Sequence, residues 1–161
     1  MAIFFKDKRG DILTGVITFP IIAFIVIFGF LYIHAEQVRA GVSMASREAA
    51  REYGIQLGQA NNDPSLIATA QFRAREKARD VLHTEGLFDQ NQDFNNGQPD
   101  GSQRDATISF TNNGVWTTCT ITYYLPNLFS GSERLISHNT WMSKFFKIQV
   151  TSASKYEETE K

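Results

Sequence analysis

The chain has 161 residues and a mass of 18.2 kDa, enough for one domain with an added segment. Its net charge of −1, from 16 Lys+Arg and 17 Asp+Glu, lacks the basic excess of nucleic-acid-binding proteins, so we expect no nucleic-acid partner. The single cysteine, Cys119, excludes an internal disulfide and a cysteine-based zinc site. Three scattered histidines supply no metal site either, and we expect no metal and no cofactor.

The first predicted element is a membrane-spanning helix. No charged residue occurs from Ile12 to Ile33. At about 1.5 Å per residue this run spans roughly 33 Å, close to the ~30 Å hydrocarbon core of a bilayer. A chain this short offers little protein to surround such a helix, so a buried core helix is the weaker alternative. Pro20 lies inside the run and predicts a kink or an unpaired carbonyl at Val16.

The charges on either side of the run predict its orientation. Lys6, Lys8 and Arg9 precede it, whereas Glu36 and Arg39 follow it. Because positive charge favours the cytoplasmic side, we expect a single-pass protein with its N-terminus inside and the rest outside. The run is too long for a conventional signal peptide, and we expect it to be retained.

The same helix is predicted to continue beyond the membrane, from about Asp11 to about Leu57. Apolar residues recur there at helical spacing and predict a packing face for other subunits: Val38, Val42, Ala45, Ala49 and Tyr53. Gly41, Gly54 and Gly58 are expected to weaken this part of the helix. Asp63 and Pro64 then predict the start of a second helix, which runs to about Glu85 and stops at Gly86.

The C-terminal third is predicted to form strands after a polar loop over 89–105. Alternating residues predict strands over Ala106–Thr111 and Val115–Leu125, joined by a hairpin turn at Asn112–Gly114. A third strand is predicted over Phe145–Ala153, with Phe146, Ile148 and Val150 facing inward. We therefore predict an α+β protein with a small antiparallel sheet packed on the second helix.

These elements predict four parts: a leader over 1–10, a membrane and stalk helix over 11–58, an extracytoplasmic head over 59–155, and a charged tail over 156–161. No phosphate-binding loop, nucleophile elbow or metal-binding motif is present. The acidic residues are not paired as in glycosidases, and Ser137–His138 are merely adjacent in sequence. We predict that the protein is not an enzyme.

Several segments resemble the TadE family, pilin-like minor subunits (pseudopilins) of the tight-adherence (Tad) pilus. Lys8-Arg9-Gly10 opens the apolar run, the stretch Ala45–Arg51 matches the AxREAAR-type motif, and Ile121–Phe129 is similar to the family's threonine-rich strand. The resemblance implies a pilin-like fold and a non-enzymatic role in assembling an adhesive surface pilus. It also implies platform proteins, a secretion ATPase and the major pilin as partners, besides the membrane and other copies of the helix.

The resemblance further implies a prepilin cleavage site between Gly10 and Asp11. Five residues after that glycine, prepilins carry a glutamate, which neutralises the amine of a neighbouring subunit in the filament core. This chain has Gly15 there, which argues against a major filament subunit.

A binding or adhesin module on a membrane anchor remains the alternative. Its candidate contacts are Trp116, Tyr124, Trp141 and Phe145. Cys119, in the middle of a strand, is either a small core residue or an intermolecular thiol.

Overall fold

The computed structural model describes residues 4–60, 63–95, 105–126 and 145–155. The chain divides into two compact units, Met1–Gln37 and Val38–Lys161. In order, the elements are helices α1 (Phe4–Ala60) and α2 (Pro64–Thr84), then strands β1 (Ala106–Asn112), β2 (Trp116–Pro126) and β3 (Phe145–Lys155). The prediction of an α+β fold is confirmed: a long apolar N-terminal helix, a second helix and a three-stranded antiparallel sheet packed on helix.

The first unit contains helix alone among the residues described. Helix α1 begins seven residues before the predicted Asp11 and runs without interruption through Pro20. Proline lacks the N–H that would bond to the carbonyl of Val16, so the helix continues here with one backbone bond fewer.

Helix α2 begins and ends as its sequence predicts. Asp63 lies at the N-cap in an extended conformation, and its carboxylate accepts hydrogen bonds from the Ser65 backbone N–H at 2.9 Å and hydroxyl at 2.7 Å. These bonds lower the pKa of Asp63 because they favour its charged form. Gly86 follows the C-terminus with a φ of +68°, and the N–H of Leu87 then donates to the Leu82 carbonyl at 2.8 Å.

The sheet is a meander with the strand order β1-β2-β3, both pairs antiparallel. The predicted turn between β1 and β2 is confirmed: Gly114 has a φ of +84°, and the side chain of Asn113 accepts hydrogen bonds from the N–H groups of Val115 and Trp116. β3 extends to Lys155, two residues beyond the predicted end.

One face of the sheet carries the core of the second unit. Thr117, Cys119, Ile121 and Tyr123 alternate along β2 and are all buried. Ile148 and Val150 of β3 lie on this inner face and are packed against the core. Phe146 was expected to be buried with them but is 50% exposed, although it pairs with Leu125 on the same face.

Candidate functional site

The apolar segment, defined here as residues 14–33 of α1, is exposed around its whole circumference. Phe19 is 75% exposed, Ile25 64% and Phe30 70%, and no large apolar side chain of the segment is buried. Among the residues that the structure describes, α1 is the one helix long and apolar enough to cross a membrane. Its apolar segment contains no buried residue. By length and composition this is a candidate membrane anchor.

Exposure on this scale has a large free-energy cost in water. Removing a Val, Leu, Ile or Phe side chain from water contributes about 1.5–3 kcal/mol. Monomeric soluble proteins rarely expose apolar patches beyond a few hundred Å². Only lipid tails or other apolar helices can cover a helix that is apolar on every side.

The residues predicted to pack between subunits have another environment in the structure. All five are at most 3% exposed and belong to the hydrophobic core of the second unit: Val38, Val42, Ala45, Ala49 and Tyr53. The ring of Tyr53 lies 5.0 Å from that of Phe110 in β1. The chain itself therefore buries these side chains, and their packing against another subunit stays a prediction.

The stretch Ala45–Arg51, which carries the TadE resemblance, is a helix-to-strand packing motif. The hydroxyl of Ser46 donates to the carbonyl of Cys119 at 2.9 Å, and the hydroxyl of Thr117 donates to the carbonyl of Ala50 at 3.0 Å. Ser46, Ala49 and Ala50 are fully buried, whereas the arginines at 47 and 51 are exposed. The small residues bring the helix backbone to hydrogen-bonding distance of the strand, and the charged residues stay in water.

Two glycines predicted to weaken the helix are points of close approach. A Cβ on Gly54 would lie 3.2 Å from both the Thr117 hydroxyl and the Lys155 carbonyl oxygen. A Cβ on Gly41 would lie 2.9 Å from a methyl carbon of Leu87. The missing side chains at 41 and 54 make room for the sheet and for the loop after α2, while the weakening of the helix at these glycines stays a prediction.

The remaining predicted site residues lie in the first unit. Gly10, Asp11 and Ile12 fall within α1, but their side chains lie outside the part that is described, so the cleavage site stays a prediction. Pro20 and Ile33 are exposed. Within this chain nothing requires glycine at position 15, since a Cβ there would meet no atom within 4 Å.

Ionisable groups do not converge in the described residues. His34 is exposed, and the Nδ1 of half-buried His83 lies 3.3 Å from the carbonyl oxygen of Phe88. An open groove of about 390 Å³ between α2 and β1 has Arg75 as its one ionisable lining residue. In the described ranges no three His, Cys, Asp or Glu residues are grouped to hold a metal ion.

Cys119 is a buried core residue. Its side chain is inaccessible, and burial raises the pKa of the thiol to about 12, against a smaller opposing effect from the Ser46 hydroxyl. The thiol is therefore protonated at neutral pH and unreactive while the unit is folded. Of the two predicted roles, the structure favours the core residue over the intermolecular thiol.

The sequence pattern missed part of the core, formed by one residue just before the predicted polar loop over 89–105 and one within it. Phe88 and Phe94 are both 4% exposed, with ring centroids 5.2 Å apart. Arg75 holds this stretch: it pairs with Asp93 at 3.3 Å, donates to the carbonyl of Phe94, and lies over the Phe94 ring. The one available signal was a lone aromatic, Phe94, in a run of polar residues.

The predicted aromatic contacts of an adhesin separate into two groups. Trp116 is 48% exposed and Tyr124 is half-buried, both on β2. The side chain of Phe145 and the whole of Trp141 lie outside the described residues.

Comparison with known proteins identifies no relative of this chain: no family model, no curated protein and no solved structure matches it.

Proposed function

We propose that this protein is a membrane-anchored, pilin-like subunit with a structural role rather than an enzymatic one, of the TadE-like minor pseudopilin type. The observation that carries the proposal is the exposed apolar segment of α1, because no described residue of its own unit covers it. A pilin-like subunit uses such a segment twice, first in the bilayer and then against apolar helices of other subunits.

The different environments of the two parts of α1, one exposed and one buried within the chain, support this role. The small-residue face at 38–54 is already occupied by the chain's own sheet and second helix. The apolar segment is therefore the surface through which we expect one copy to meet another. Lateral contacts between apolar helices in a membrane or filament core rest on close packing, since lipid and protein are equally apolar.

A minor subunit is the more consistent version of the proposal. Gly15 leaves the segment without a carboxylate at the position where a major pilin neutralises the free amine of its neighbour. An unpaired charge inside an apolar bundle costs several kcal/mol. We expect low copy number in, or at the base of, a Tad-type surface pilus, with the major pilin, the platform proteins and the secretion ATPase as partners.

The proposed topology follows the flanking charges. Residues 1–10 lie in the cytoplasm, 11–58 form the membrane and stalk helix, and 59–155 form the head outside the cell, followed by the tail over 156–161.

The decisive experiment is the intact mass and N-terminal sequence of the protein purified from its own cell envelope. A chain that begins at Asp11 establishes prepilin-type processing and supports the pseudopilin role. A membrane-bound chain that still carries Lys6–Gly10 contradicts processing and shifts the role to a permanent anchor. Recovery of the whole protein in the soluble fraction overturns both, because the apolar segment would then have no lipid around it.

A membrane-anchored binding module is the second candidate function. The half-exposed indole of Trp116 favours it, because an exposed tryptophan on a rigid strand is a common recognition group. The two functions are compatible, since a pilus subunit can also carry an adhesive head.

A further inference from the structure

The outer face of the sheet differs sharply from the inner one. It is formed by the odd-numbered residues of β1 and β3 and the even-numbered residues of β2, and we call it the hydroxyl face. Six threonines and one serine lie on it: Thr107, Ser109, Thr111, Thr118, Thr120, Thr122 and Thr151. Except for Thr122, which is buried, these side chains are exposed or half-exposed.

The register places the hydroxyls in rows that cross the sheet. Ser109, Thr120 and Thr151 form one row, in which the hydroxyls of Thr120 and Thr151 are 2.9 Å apart. Thr111 and Thr118 form the next, also with a hydrogen bond between their hydroxyls. Each hydroxyl can both donate and accept, so the rows offer rotatable partners to another hydroxylated surface.

Each end of the hydroxyl face carries an aromatic residue paired with a lysine. Trp116 is the register partner of Lys155, and Tyr124 is the register partner of Lys147. Trp116 and Tyr124 are eight positions apart on β2, about 26 Å along the strand at strand rise. A ligand that contacts both ends is a chain molecule and not a single small sugar.

The charge on this face has one sign. Lys147 and Lys155 are exposed, and no Asp or Glu lies on the face within the described strands. Asp105, which precedes β1, is buried, and its carboxylate accepts a hydrogen bond from the Asn95 amide at 2.8 Å. A second copy stacked on this face would bring lysines toward lysines, which argues against self-association there.

We propose that the hydroxyl face binds an acidic polysaccharide. The indole of Trp116 stacks on the apolar face of a sugar ring, the threonine rows meet sugar hydroxyls, and Lys147 and Lys155 meet the acidic groups. This inference goes beyond the proposed membrane and pilus role, does not use the apolar segment that carries it, and names a ligand class for the second candidate function, with which it shares Trp116.

The test is calorimetric titration of the full-length protein, in nanodiscs of neutral lipid, with an oligogalacturonate and with a neutral oligosaccharide of equal length. We expect the acidic chain to bind and the neutral one to bind at least tenfold more weakly. The K147Q/K155Q variant should weaken binding about fivefold, since exposed ion pairs each contribute little. Trp116→Ala should weaken it about tenfold.

Matched variants on α2 separate the face from overall charge. R73Q/K77Q removes two exposed positive charges from α2 and should leave the affinity unchanged within twofold. Thr151→Glu places a carboxylate on the hydroxyl face and should abolish binding, whereas Thr69→Glu makes the same change on exposed α2 and should not. Unfolding temperatures of all variants confirm that each is folded.

Three outcomes overturn the proposal. They are no binding of oligogalacturonate at millimolar concentration, equal loss in the α2 and face variants, and equal affinity for the neutral chain. Membrane retention of the same preparations is scored separately, so a failure of glycan binding is distinguishable from a failure of the anchor.

Discussion

Residues 14–37 and 38–59 of α1 are both helical and both rich in apolar side chains, yet their surfaces differ in kind. In the first stretch large side chains point in every direction and are exposed. In the second, small residues lie along one face and are buried, with charged residues opposite. The comparison teaches that apolar content alone does not predict a partner. One-sided apolarity is satisfied within the chain, whereas all-round apolarity demands an outside environment.

The largest expected difference between the two stretches is in folding stability. Tyr53→Ala should lower the free energy of unfolding of the second unit by about 3–5 kcal/mol, as for other buried aromatics, because Tyr53 is 3% exposed against Phe110. The control is Tyr32→Ala, which removes the same ring from a 68% exposed site and should leave stability nearly unchanged. Denaturant unfolding followed by circular dichroism measures both. Equal losses would mean that the two stretches are not distinct.

For membrane retention the sensitivity of the two stretches should be reversed: a substitution within 14–37 should lower it, whereas one within 38–59 should not. Ile25→Asp places a carboxylate in the middle of the apolar segment, at a cost of about 2.5–3.5 kcal/mol for a charge at a helix centre in a bilayer. We expect most of this variant to leave the membrane fraction. Met44→Asp, at a 52% exposed site in the second stretch, should remain in it. If Ile25→Asp still sediments with membranes after carbonate washing, the apolar segment is not the anchor.

Enlarging a buried side chain of the second stretch should lower folding stability by a smaller amount than Tyr53→Ala. Ala49 is fully buried, so Ala49→Leu should destabilise the second unit by about 1–3 kcal/mol. Ala40 is exposed on the same helix, and Ala40→Leu should be neutral in the same thermal unfolding experiment. A neutral result at position 49 would show that the helix does not approach the sheet as closely as the hydrogen bonds of Ser46 and Thr117 indicate.

The smallest expected effect is a loss of folding stability at alkaline pH, caused by the burial of the Cys119 thiol. The pKa of the Cys119 thiol is about 12 in the folded protein, raised by burial from an ordinary value of 9.0. Between about pH 9 and pH 12 the thiol therefore keeps its proton in the folded state and loses it in the unfolded state. The resulting stability is present below pH 9 and falls above it, by about 1 kcal/mol for the first pH unit.

Cys119→Ala should remove that pH dependence. The difference between the two unfolding curves at pH 8 and pH 10 isolates the thiol from the tyrosines and lysines that titrate in the same range. A slope that is identical in both proteins would mean that the site is solvated. Alkylation of the folded protein at pH 8 should likewise be slow and should accelerate only on unfolding.

Much of the fold could be predicted from local chemistry. The cap at Asp63, the stop at Gly86 and the turn at Asn112–Gly114 each depend on a few neighbouring residues, and all three occur where the sequence indicates. The alternation of residues over Val115–Leu125 also predicted strand β2, because every second residue of a strand faces the same way.

The features that the sequence did not predict depend on contacts between residues far apart along the chain. The helical spacing of Val38, Val42 and Tyr53 shows that a face is buried but not what covers it, and here the cover is the chain's own sheet and second helix. The close approach of Thr117 to Gly54 is likewise invisible in the sequence, because the two residues lie far apart along the chain. The burial of Phe94 depends on Arg75, nineteen residues earlier, which no local pattern reveals.

The strict alternation along β2 has a consequence for how such a protein can change over time. The inner residues hold the helix and are tightly constrained, since each contacts backbone or core. Apart from the buried Thr122, their outer neighbours are at least partly exposed, so substitutions there leave the fold nearly untouched. A lineage can therefore alter what the sheet displays to its surroundings, one residue in two, while inheriting the same scaffold.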